Sequence, residues 1–233
     1  MTFGRQSVPI WLIVLAIVGG LVTSACSQSA SSAPSGAVPS GATQSAPSGA
    51  ACPGSAPAHA TAGSVATLTV ETPKGTIVMR LEADLAPAAV GNFLALARCG
   101  YYDGVVFHRL VPGFVIQGGD GQFGKSTALD RNRVGQGGPG YTIDDDPITA
   151  PYGRGVVAMA RTPQPHSEGS QFFIVLADTA RPALESANTY AIMGHVTSGM
   201  DLVDAIAAMP NSGEPNNAAL DPVPMTKVTV NTP

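Results

Sequence analysis

Hydrophobic and polar positions follow three different rules along this chain. From position 10 to 22 the residues are apolar, interrupted only by Gly19 and Gly20. From 27 to 64 there is no Asp, Glu, Lys or Arg, and nearly every residue is Ser, Ala, Pro or Gly. From Val65 onward, apolar and polar residues recur with the periods of strands and helices. Positions 65–71 and 76–82 alternate, with Ile77, Met79 and Leu81 on one face, and Thr72-Pro73-Lys74-Gly75 between them carries turn chemistry. The pair predicts a β-hairpin. Pro87 suits a first helical turn, Val90, Phe93, Leu94 and Ala97 recur at helical spacing, and Gly100 is a stop signal. Further short strands are expected at 105–108, 113–117, 155–160, 171–176, 190–196 and 225–230. Leu202, Val203, Ile206 and Met209 make a second amphipathic helix. The stretch 123–146, rich in Gly, Asp and Arg, reads as a long loop. Many short strands with two helices point to an antiparallel barrel or sandwich, and the pattern does not separate the two.

These rules divide the chain into a signal peptide over 1–25, a disordered Ser/Ala/Pro/Gly tether over 26–64, and a folded domain over 65–233. The apolar run is short for a bilayer span, which needs about 20 residues, and with Arg5 before it suits the h-region of a signal peptide. Thr23-Ser24-Ala25-Cys26 then resembles a bacterial lipobox, departing from it at Thr23, where Leu, Val or Ile is usual. The resemblance implies acylation of Cys26 and an extracytoplasmic protein anchored to the cell membrane. Plain secretion and an uncleaved signal anchor are the other readings. The tether cannot bury enough apolar surface to fold and has a reach on the order of 35 Å. The remaining stretch of about 165 residues suffices for one domain.

A net charge of −4 without a basic run excludes nucleic acid as an expected partner. The three cysteines, Cys26, Cys52 and Cys99, have no zinc-ligand spacing. Outside the cytoplasm Cys52 and Cys99 could pair; as free thiols, Cys99 would pack at a helix end. His59, His108, His166 and His195 show no metal-ligand spacing either, and neither metal nor cofactor is expected.

The stretch 106–120, Val-Phe-His-Arg-Leu-Val-Pro-Gly-Phe-Val-Ile-Gln-Gly-Gly-Asp, resembles the signature segment of the cyclophilins. Two further blocks follow in the right order: 155–161, Gly-Val-Val-Ala-Met-Ala-Arg, and 169–174, Gly-Ser-Gln-Phe-Phe-Ile. The resemblance runs from about Val65 to Val230. It implies a mainly β fold, an eight-stranded antiparallel closed β-barrel capped by two α-helices, with the active groove on its outer face. It also implies a peptidyl-prolyl cis/trans isomerase that assists the folding of exported proteins. A non-catalytic proline-peptide-binding or chaperone module on the same fold is the alternative. The expected partners are proline-containing segments of unfolded or exported proteins, and the expected state is a monomer.

By the same resemblance Arg109 is the catalytic residue, donating hydrogen bonds to the substrate carbonyl and toward the prolyl nitrogen. Phe114, Met159, Phe173 and Leu184 are expected to form the proline pocket. Gln117 and Gln171 offer amides to the substrate backbone, and Ala160 and Arg161 line the groove. Tyr190 stands where the family often has His, and Arg161 where many members have Asn. Phe107 and Phe172 belong instead to the core, because strand alternation turns them opposite to their neighbours.

Overall fold

The computed structural model describes residues 51–231. Positions 1–50, which include the signal-like segment and Cys26, lie outside the described residues. The expected hairpin is present as β1 (Val65–Thr72) and β2 (Gly75–Glu82), paired from Val65–Glu82 to Thr72–Gly75. Helix α1 (Pro87–Arg98) follows, its first-turn Ala88 and Ala89 N–H groups donating to the Asp146 carboxylate at 3.2 and 2.8 Å. The other elements are β3 (Phe107–Val111), β4 (Val115–Gly118), β5 (Val156–Met159), β6 (Phe172–Val175), α2 (Arg181–Ala187), β7 (Ile192–Ser198), α3 (Met200–Ala207) and β8 (Lys227–Asn231).

All strand pairs are antiparallel, in the order β3-β4-β6-β5-β7-β2-β1-β8. The curled sheet buries Leu68, Ile77, Met79 and Leu81 against Phe93 and Leu96 of α1. Phe107 and Phe172 lie in this core, Phe172 edge-on to Phe93 with ring centroids 5.2 Å apart.

Two expectations are corrected. The barrel is not closed: β3 and β8 are the edges of the sheet and do not pair with each other. The segment 217–226 runs between them as irregular chain. Phe107 N–H donates to Val223 O and Leu110 N–H to Asn217 O on the β3 side, and Thr226 N–H to Glu71 O on the β1 side. Pro222 and Pro224 in that segment have no N–H, so it cannot carry a continuous ladder. The described residues also hold three helices rather than two. Helix α2 has Pro182 in its first turn and buries only Leu184, so it offers no apolar stripe for periodicity to detect.

The boundary expected between 64 and 65 is displaced as well. Residues 51–64 form a strap along α1. Cys52 is disulfide-bonded to Cys99, with Cα atoms 5.2 Å apart. Ala60 N–H donates to Pro87 O and Gly63 N–H to Asp84 Oδ1, each at 2.8 Å. A Cβ on Gly91 would lie 2.5 Å from Ala58 O, so the helix is bare where the strap crosses it. Composition is blind to this, because backbone N–H and C=O groups make such bonds whatever the side chain. Among the described residues no helix is long and apolar enough to cross a membrane.

Candidate active site

Strand register builds the site. Arg109 on β3 pairs with Gln117 on β4, Gln117 with Phe173 on β6, and Phe173 with Ala158 on β5. These four form one row across the outer face of the sheet, because alternate residues of a strand share a face. Their neighbours Ile116, Phe172 and Val157 belong to the interior core. Outside the sheet, Phe173, Ala158, Val115, Ile192 and Leu184 form a second apolar cluster beneath α2.

A pocket of about 220 Å³ opens over this row. It is lined by Arg109, Phe114, Gln117, Ala160, Arg161, Phe173, Leu184 and Tyr190, all expected from the sequence, together with Val115. Met159 is the correction. It is fully buried in the interior core, because on β5 the positions facing the groove are Ala158 and, just beyond, Ala160. Val115 was missed, although counting two back from Gln117 reaches it.

The Arg109 guanidinium is half-buried and makes no hydrogen bond or ion pair among the described residues. Desolvation lowers its pKa from the usual value, and the Tyr190 phenol opposes this. Its charge survives, since a guanidinium does not deprotonate in proteins. Tyr190 packs edge-on against Phe173, centroids 5.3 Å apart. Its position is held by buried Tyr152, whose hydroxyl donates to Tyr190 O at 2.8 Å and accepts from Tyr190 N–H at 3.2 Å. Burial pushes the Tyr152 pKa up to about 12, so it stays a donor.

Gln117 and Gln171 are arranged in series. Gln117 Nε2 donates to Gln171 Oε1 at 2.9 Å, and Gln171 Nε2 donates to Gly135 O and Gly137 O at 2.9 and 2.8 Å. Gln171 is therefore committed within the protein, and Gln117 is the amide that reaches the pocket. Beside it lies a larger cavity of about 410 Å³, sharing Gln117, Ala160 and Arg161 with the first. One wall is the 135–142 stretch and the other the loop between β5 and β6. The Arg161 side chain, 5% exposed, pairs with Asp145 at 2.8 Å and donates to the carbonyls of Thr162, Gln164 and Thr189. Its guanidinium thus fastens the second wall.

Three buried polar residues behind the groove carried no expected role in binding. Asp120 accepts four backbone N–H bonds from the first wall's loop. Glu168, in the second wall, accepts one side-chain bond, from Ala191 N–H, and its Oε2 has no partner among the described residues. His108 has no partner on either ring nitrogen there; burial draws its pKa down to about 4, with Asp120 opposing and Arg109 reinforcing.

Comparison with known proteins bears on this geometry. The family model described as "Cyclophilin type peptidyl-prolyl cis-trans isomerase/CLD" matches residues 67–230. A probable peptidyl-prolyl cis-trans isomerase of Brucella abortus (strain 2308) is 38% identical over 179 residues, covering 72% of this chain and 88% of the relative. The peptidyl-prolyl cis-trans isomerase cyp18 of Streptomyces antibioticus is 40% identical over 150 residues, covering 61% and 83%. A crystal structure of a Cryptosporidium parvum cyclophilin in the presence of the dipeptide Ala-Pro superposes with a TM-score of 0.57. It is 26% identical, with 72% of this chain and 99% of that one covered.

Proposed function

This chain belongs to the cyclophilin-type peptidyl-prolyl cis-trans isomerase family and is an isomerase of X–Pro peptide bonds, and we propose that it works through Arg109 over the pocket of Phe114, Val115, Phe173, Leu184 and Tyr190. The amide's partial double bond sets a barrier of roughly 18–20 kcal/mol. No bond to carbon breaks, so the enzyme has only to favour the twisted state over the planar one. In the twisted state the prolyl nitrogen regains a lone pair. A guanidinium N–H aimed at it gains most at the top of the barrier, and a partly desolvated guanidinium gains more than one in water. The apolar slot seats the ring and excludes water that would otherwise stabilise the charge-separated resonance form. The peptide in the Cryptosporidium relative's crystal supports proline-peptide binding on this fold.

The observation that carries this reading is that the Arg109 guanidinium, half-buried beside an apolar slot, has no hydrogen-bond or ion-pair partner among the described residues. Arg109→Ala in a protease-coupled assay on a short X–Pro peptide is expected to lower kcat/KM by about 100-fold. Arg109→Lys is expected to recover little, since an ammonium lacks the planar fork. Equal rates for wild type and Arg109→Ala would overturn the assignment.

We place the enzyme outside the cytoplasm, as a monomer tethered through lipidated Cys26 and assisting exported proteins. The Cys52–Cys99 disulfide supports this, because such bonds persist in oxidising compartments. Mass spectrometry of the mature N-terminus is expected to find acylated Cys26 as the first residue; an unmodified Cys26 would refute the anchor.

A further inference from the structure

We infer that Asp120, which lines neither cavity, is a positioning residue for the isomerase: it sets which way the Gln117 amide faces the substrate. The inference rests on the groove assignment above and adds a residue to it.

Asp120 lies just beyond the end of β4, after Gly118-Gly119, and is 0% exposed. Its Oδ1 accepts from Gln122 N–H and Phe123 N–H at 3.1 and 2.9 Å, and its Oδ2 from Gly135 N–H and Gly137 N–H at 2.8 and 3.0 Å. One carboxylate thereby grips both ends of the loop that walls the groove. A Cβ at Gly137 would collide with Asp120 Oδ1, so the loop requires glycine there to come this close.

The residues held this way, Gly135 and Gly137, present their carbonyls in the following peptide units, and these take both protons of Gln171 Nε2. A flipped Gln171 would put its oxygen against two carbonyl oxygens, so its orientation is fixed by chemistry rather than by choice of assignment. Gln171 Oε1 then faces Gln117 and takes one of its protons. That leaves Gln117 Oε1 and one N–H to meet a peptide backbone. If the two carbonyls lose their anchor, Gln171 is free to turn its NH₂ toward Gln117. Gln117 must then reverse, and the acceptor that faced the substrate is lost. The fixed polarity of the relay is Asp120's contribution.

Asp120→Asn in the full chain replaces one oxygen by an NH₂ facing two backbone donors. The expected result is a fall in kcat/KM of about ten-fold, the worth of one hydrogen bond. The Gln117 side-chain amide signal is expected to be a single pair in wild type and to double or broaden in Asp120→Asn as both orientations are populated. In a Gln117→Ala background Asp120→Asn should cost no further activity, because interacting sites are not additive. A stability loss with an unchanged Gln117 signal, or a fully additive loss of kcat/KM, would overturn the inference and leave Asp120 merely structural. If Asp120→Asn does not fold, Gly137→Ala displaces the same carboxylate and is read by the same signal and the same cycle. The amide signal needs no turnover, so it decides this point even if Arg109→Ala proves active.

Discussion

Asp120 and Glu168 are both fully buried, and each stands behind one wall of the groove, yet they are satisfied very differently. Asp120 has two N–H donors on each oxygen. Glu168 has the Ala191 N–H on one oxygen and no partner among the described residues on the other. Burial accordingly pushes the Glu168 pKa up to about 7, with the Ala191 N–H and Arg161 opposing and Asp145 and Asp146 reinforcing. A carboxylate given four donors fixes its loop, and the first wall is the one that aims the Gln171–Gln117 relay. A carboxylate given one donor leaves its wall responsive to a proton, and that wall is fastened instead by the Arg161 guanidinium.

The most severe way to break this contrast is to remove the Asp120 carboxylate altogether. Asp120→Ala leaves four N–H groups without their acceptor, and bonds to a carboxylate are worth about 1.5–3 kcal/mol each. Partial rehydration of the loop recovers some of this, so a loss on the order of 4 kcal/mol in urea unfolding is expected. A loss below about 1 kcal/mol would mean the loop holds itself.

The two carboxylates also show what one sequence exposes and what it conceals. The β1–β2 hairpin was legible because Ile77, Met79 and Leu81 alternate on a buried face. Arg109, Gln117 and Phe173 were legible through resemblance, and register then explains why they meet. Met159 was misplaced because the groove-facing neighbours on β5 are Ala158 and Ala160, too small to leave an apolar signal. Helix α2 buries one side chain, and the 51–64 strap is held through its own backbone N–H groups and one disulfide, so neither leaves a periodic trace. Asp120 closes the signature segment, but its partners are main-chain groups up to 17 residues away, which no side-chain pattern records. The open sheet edge is written in Pro222 and Pro224, whose missing N–H groups could have argued against closure.

The second way to sharpen the comparison is by pH. Glu168 has a folded pKa of about 7 against an ordinary 4.5, so its burial costs nothing below pH 4.5. The penalty grows as pH rises to 7 and reaches about 3 kcal/mol. His108 runs the other way: its folded pKa of about 4 against 6.5 means its contribution is whole above pH 6.5 and is lost as pH falls toward 4. Between about pH 4.5 and 6.5 the two slopes offset, and wild-type stability should be nearly flat. Glu168→Gln removes one slope. Its stability should climb with pH up to 6.5 and exceed wild type at pH 8 by about 2 kcal/mol, the removed penalty less the cost of an unpartnered amide N–H. A variant whose profile parallels wild type would show that Glu168 is ionised without penalty and that the two walls do not differ.

The mildest test loosens the second wall without touching the first. Asp145→Asn removes the charge that pairs with Arg161 at 2.8 Å but leaves Arg161 its three carbonyl acceptors. With Arg161 5% exposed and Asp145 29% exposed, the pair lies between a surface and a buried ion pair, and a loss of about 1 kcal/mol is expected. The same change removes a negative charge that raises the Glu168 pKa and frees a cation that lowers it. The Glu168 penalty, which still begins at the ordinary value of 4.5, should therefore level off at a lower pH and be smaller. Arg161, like Gln117, borders both cavities, while Arg109 lines only the smaller one, and Arg161 makes none of the relay's hydrogen bonds. KM should accordingly rise about three-fold, the effect of less than one hydrogen bond, with kcat unchanged. A fall in kcat at constant KM would mean that the walls move together, and that a proton on Glu168 reaches the chemistry at Arg109.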